Sequence, residues 1–146
     1  MQIRDIITAS IKGTTAMSLF SYAASFIEEK NFKEPEQLSR MIKQDIPQLD
    51  KDKARLAAWV AHYLAGYTFA AVYAEVLEKM DLEPTILNGL LTGAASGIPA
   101  VLIWSALFNL HAEPSHKNAY LRHLVAAHAI FGAFTFAGYA KRRKLA

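Results

Sequence analysis

The sequence predicts an all-α integral membrane protein, a bundle of four transmembrane helices with a short amphipathic helix lying on the membrane surface between the first two. Three observations carry this. Charged residues make up 20% of the 146-residue chain, but they are segregated. Positions 84–112, 56–74, 124–140 and 13–27 hold no Asp, Glu, Lys or Arg, in runs of 29, 19, 17 and 15 residues, and about 20 apolar residues cross the hydrocarbon as a helix. The segment from Thr85 to Leu110 also has no charged face, where a helix of a soluble bundle sets a polar stripe opposite its apolar one. Charges and turn-forming residues fill the gaps between the runs.

The first helix is expected at about 6–27, with Lys12 near its start able to extend its ammonium to the headgroups. Residues 28–55 form a polar connection with seven acidic and seven basic side chains. Within it Leu38, Met41, Ile42, Ile46 and Leu49 recur at three- and four-residue spacing after Pro35. That spacing predicts an amphipathic surface helix at about 34–49, as a structural lid or a docking element for a partner. Asp50 and Asp52 suit the N-terminus of a second helix at about 53–79. Pro84 is placed to open the third, at about 84–110. After the turn containing His111, Glu113, Pro114 and His116, the fourth runs over about 117–140. Short loops make neighbouring helices antiparallel, so the chain reads as one domain over 1–146.

The basic residues do not decide orientation, since seven lie on one face and nine on the other. The uninterrupted run Lys141–Lys144 favours termini in the cytoplasm, and directly after a membrane helix it reads as an anchor to anionic lipid and not as a nucleic-acid site. A secretory signal at the N-terminus is disfavoured by Asp5 and Lys12. With no cysteine in the chain, disulfides and thiolate-bound metals are excluded.

The second and fourth helices share a pattern. His62, Gly66 and Tyr73 match His128, Gly132 and Tyr139 in spacing, and offsets of 0, 4 and 11 residues fall on one helical face. Gly13-Thr-Thr-Ala and Gly93-Ala-Ala-Ser echo each other on the partner helices. A parallel two-hairpin repeat about an axis along the membrane normal is the expected relation. Gly93 and Gly97 permit close helix packing, with Ala61, Ala65 and Gly66 as a matching smooth face. Pro99 removes one backbone hydrogen bond, which makes either a tolerated kink or a broken-helix site.

His62 and His128 lie roughly 9 to 14 Å inside their helices at 1.5 Å per residue. They are candidates for helix contact, for facing one another or for binding a shared ligand. Bis-histidine ligation of haem b is the alternative, with Gly66 and Gly132 leaving room for the porphyrin; otherwise no cofactor is expected. His111, Glu113, His116 and His123 have zinc-binding residue types, but Pro114 interrupts the cluster. Tyr73, Tyr139, Trp59 and Trp104 are expected in the interfacial aromatic belts. No nucleophile elbow, phosphate loop or zinc-protease helix is present, and no acid, base and nucleophile converge.

Gly13-Thr-Thr-Ala-Met17, the four-helix layout and the glycine-rich third helix together resemble the YagU-like group of small bacterial inner-membrane proteins. The resemblance implies a bacterial inner-membrane location and supplies no chemistry, so it assigns no site residue. The expected function is a non-enzymatic one, through contacts with lipid, with other membrane subunits or with further copies of the chain. A haem-binding electron-transfer subunit and a small transporter or channel are the alternatives.

Overall fold

The computed structural model describes residues 2–111 and 114–143, with the side chains of 141–143 excluded. Five helices account for nearly all of it: α1 Ile3–Glu28, α2 Glu34–Asp45, α3 Lys51–Lys79, α4 Ile86–Leu110 and α5 Lys117–Arg143. No strand occurs among the described residues.

The helix ends differ from expectation where local capping chemistry outweighs the hydrophobic pattern. Asp50 caps α3, its Oδ1 accepting from the backbone N–H of Asp52 at 2.9 Å and of Lys53 at 3.3 Å, so the helix starts before the apolar run. At α4 the cap is Thr85, whose Oγ1 accepts from Asn88 N at 3.2 Å. Pro84 therefore precedes the cap and does not open the helix. α2 stops at Asp45, short of residue 49, because Pro47 drives Ile46 out of the helical region. α4 continues through Pro99 without a break.

Glycines set the packing order. Gly89, Gly93 and Gly97 recur every four residues on α4 and meet the α5 backbone: a methyl on Gly93 would lie 2.9 Å from Ala129 Cα, and one on Gly97 2.8 Å from Val125 Cα. The partner of Gly93 and Gly97 is thus α5, and not the Ala61–Ala65–Gly66 face of α3. α5 in turn lies against α1, where a methyl on Gly138 would come within 3.0 Å of Ala9. Gly66 of α3 meets Thr14 of α1, and α2 packs on α3. The helices therefore adjoin in the order α4, α5, α1, α3.

That order leaves α3 and α4 apart. Among the described residues they make no comparably close backbone approach; the Tyr73 hydroxyl bonds Ser96 Oγ, and Tyr139 of α5 donates to Ala70 O of α3 at 2.6 Å. A two-hairpin repeat would pair α4 with α3 as closely as α1 with α5. The two halves are not packed equivalently in this respect. Tyr73, Tyr139 and Trp104 are buried inside the bundle, which corrects the expectation that they form interfacial belts. The Tyr73 and Tyr139 hydroxyls find internal partners, and the three rings pack between the helices. Trp59 is half-buried beside Tyr22, His62 and Tyr63.

Two helices, Ile86–Leu110 and Lys117–Ala140, are long and apolar enough to cross a membrane by length and composition, with mean hydropathies of 1.7 and 1.2 over their best windows. α1 and α3 are as long. Hydroxyl side chains such as Ser10, Thr14, Ser18, Ser21 and Ser25 dilute the apolar character of α1.

Candidate functional site

The separation of α3 from α4 opens a cavity of about 280 Å³. Its walls are apolar. Phe69 and Ala65 come from α3, Trp104 and Ala100 from α4, Phe131 from α5, Met17 from α1 and Leu38 from α2. Four polar side chains also line it: Thr14, Glu34, His62 and His128. The volume sits near the lower end of the range, about 300 Å³ upward, typical of small-molecule sites.

His62 and His128, paired in the sequence pattern, thus share one cavity, each buried. His62 Nε2 lies 3.0 Å from Ser18 Oγ. His128 Nδ1 donates to the Leu124 carbonyl at 2.9 Å, which leaves its Nε2 as an acceptor. Phe69 packs edge-on against His128, centroids 5.2 Å apart. Gly66 has a specific role: a methyl there would overlap Thr14 Oγ1, so glycine makes room for that hydroxyl. Thr14 Oγ1 is buried with no hydrogen-bond partner. Gly132 faces away from the cavity, against Gly89 and Gly93.

Glu34 is the residue the sequence reading passed over. It belongs to the first turn of α2 and is only 2% exposed. Ser21 Oγ donates to its Oε1 at 3.0 Å, and Oε2 has no partner. Burial pushes this carboxyl up to about 7, against the opposing pull of its own backbone amide and of Ser21. Tyr120, fully buried with an unpartnered hydroxyl, lies close enough to feel the Glu34 charge. In the sequence, Glu34 looks like one of many charges in a surface connection. The signal that could have exposed it is on α1: Ser10, Thr14, Ser18, Ser21 and Ser25 form a buried hydroxyl stripe at three- and four-residue spacing.

The histidines in and after the turn are each engaged locally. His111 Nε2 meets both Asp45 carboxylate oxygens at 3.1 Å, at the end of α2, and its Nδ1 lies 2.9 Å from Leu107 O. The Leu107 carbonyl and then Asp45 raise its proton affinity. His116 Nε2 donates to Asn31 O at 3.0 Å. His123 Nε2 lies 3.0 Å from Ser21 Oγ, its ring stacked between Phe20 and Phe32 at 5.1 and 4.4 Å. Each takes a different partner. Glu113 lies outside the described residues, and among those described no three His, Asp or Glu side chains converge as a metal set.

Pro99 is exposed and borders a second, shallower cleft between α3 and α4, with Tyr73 and Ser96. Compared with known protein families, characterised proteins and solved structures, the chain matches none.

Proposed function

We propose that the chain is an integral membrane protein, with α1, α3, α4 and α5 spanning the bilayer and α2 on one surface, and that it binds a small apolar ligand inside the bundle. Two observations support the membrane setting. Only 22% of the most apolar window of α4 is buried within the chain, whereas the core helix of a soluble protein would be mostly covered. The rest presents Leu87, Leu91, Ile98, Leu102 and Leu110, a face that needs lipid or a partner to cover it. Lys12 and the charged flanks of α1 and α3 then fall near the headgroups.

The cavity between α3 and α4 carries the binding reading. A helix bundle that acted only as a scaffold would gain from filling that space, because interiors are close-packed. Here aromatic walls and a few polar groups surround it instead, the usual make-up of a ligand site. The ligand class that fits is a single-chain amphiphile. Its chain would lie against Phe69, Trp104 and Phe131, and its polar end would meet His128 Nε2, the ring nitrogen left as an acceptor. Entry between α3 and α4, from the bilayer, avoids moving the glycine-packed contacts. The protein, on this reading, works by binding.

Native mass spectrometry of protein released from membranes tests this. A small-molecule adduct at unit stoichiometry is expected, and Ala65→Trp, which fills the cavity, should abolish it while raising the melting temperature. Adduct-free wild-type protein whose melting is indifferent to added single-chain lipids would sink the proposal.

Ligation of haem by His62 and His128 is a second reading, favoured by their shared cavity. It requires His62 Nε2 to leave Ser18. A Soret band in freshly purified protein that vanishes in His128→Ala would establish it.

A further inference from the structure

We infer that Ser21 and His123 form a proton relay joining the buried Glu34 carboxyl, at the inner cavity, to an open cleft on the other side of α1. The inference concerns proton access and holds whether or not the cavity takes a ligand.

The geometry is a linear chain. Ser21 is 0% exposed and stands between the two groups, 3.0 Å from Glu34 Oε1 and 3.0 Å from His123 Nε2. A hydroxyl has one proton. Ser21 gives it to the carboxyl, so the His123 Nε2–H must donate to Ser21 Oγ. His123 is part-exposed and lines the outer cleft with Phe20, Glu28, Lys30 and Arg122. Glu34 lines the inner cavity. Two separate spaces are thus linked through the wall of the bundle by three side chains.

A purely structural buried carboxylate would have both oxygens satisfied, since an unpaired one is costly. Glu34 leaves Oε2 bare. Burial also raises its titration towards neutral pH, to about 7. The titratable and charged groups around the relay are Tyr22 and Glu28 on α1, and Lys30, Lys33 and Glu36 before and within the first turn of α2. From α5 come Tyr120, Arg122 and His128, and from α3 His62. None of these side chains hydrogen-bonds the Glu34 carboxyl, whereas Ser21 does.

The transfer balances. A proton from the cleft adds to His123 Nδ1; the Nε2 proton passes to Ser21 Oγ as the serine proton passes to Glu34 Oε1. Glu34 ends neutral, Ser21 is unchanged, and His123 carries its proton on Nδ1. The imidazole resets by exchanging that proton with the cleft and regaining one on Nε2.

Time-resolved infrared spectroscopy on the full chain in lipid, after a proton jump, tests the relay. The protonated carboxyl band of Glu34 is the one absent in Glu34→Gln. Ser21→Ala and His123→Phe, the latter keeping an aromatic ring between Phe20 and Phe32, should slow its rise on the order of tenfold or more. Ser21→Thr should restore the rate. Ser21→Ala should also move the titration midpoint upward, because it removes a hydrogen bond that favours the charged form; a structural role alone would give that shift without the slowing. Unchanged rates in both variants, or no band lost in Glu34→Gln, would overturn the inference. If Ser21→Ala fails to fold, His123→Phe decides it.

Discussion

Gly132 of α5 faces Gly93 of α4 so closely that a methyl on Gly132 would sit 2.8 Å from the Gly93 Cα. That approach sets the spacing of the α4–α5 hairpin, whereas α3 and α4 make no comparably close backbone approach among the described residues.

Gly132→Ala should therefore destabilise the chain by about 1–3 kcal/mol, the usual cost of forcing extra volume into a packed contact. Gly93→Leu and Gly97→Leu should cost more, since their neighbours are also backbone atoms. Thermal unfolding in detergent measures this. Melting temperatures within error of wild type would show that the contact yields.

Tyr139 ties α5 to α3, donating to Ala70 O at 2.6 Å. Tyr139→Phe keeps the ring and removes the tether, for a loss of about 1 kcal/mol. It should also broaden the α3–α4 separation. The chain contains no cysteine, so paired spin labels at introduced cysteines read that distance without background. An unaltered distance distribution would place the restraint in Tyr73–Ser96 alone.

Glu34 imposes a pH dependence whose sign follows from its burial. Its folded value of about 7 stands above the ordinary 4.5. Between those values the folded chain keeps a proton that the unfolded chain has released, so stability falls as pH rises across that window and levels off above it. The slope is at most about 1.4 kcal/mol per pH unit. Glu34→Gln should flatten the profile and be the more stable protein above pH 7. Chemical unfolding at a series of pH values checks both, and parallel profiles for the two proteins would show that Glu34 is not the group responsible.

His62→Ala and His128→Ala should each destabilise, and their effects should not add. Both side chains line one cavity, so emptying one position changes the surroundings of the other. The double variant is expected to cost less than the sum, by about 0.5 kcal/mol or more. Additive losses would mean that the two imidazoles act as separate packing units.

α2 should lie with one side down. A spin label at Met41 is expected to be shielded from water-soluble relaxation agents, whereas one at Gln44 is expected to be open to them. Equal accessibility would mean that α2 leaves the bundle in lipid.

The helices were legible in the sequence because each follows from its own residues. Charge-free runs, Asp50 as a cap and the amphipathic spacing around Met41 are local signals, and local hydrogen bonding decides where such segments begin and end. The glycines at 93 and 97 could be read as contact positions for the same reason, a bare backbone on one face. Their partner could not be read, because α3 and α5 both offer a smooth face carrying a histidine and a glycine at the same spacing. Packing chose α5 and left α3 apart. Tertiary structure also reversed the reading of Tyr73, Tyr139 and Trp104, whose amphipathic rings suit a headgroup region and a bundle interior equally well. Above all it decided Glu34. No local property separates that glutamate from Glu36, two residues on, but the fold carries the first turn of α2 over the end of the bundle. Burial and the Ser21 hydroxyl then convert an ordinary charge into a protonatable group at a cavity wall, and both come from residues distant along the chain or facing it only once α2 has docked.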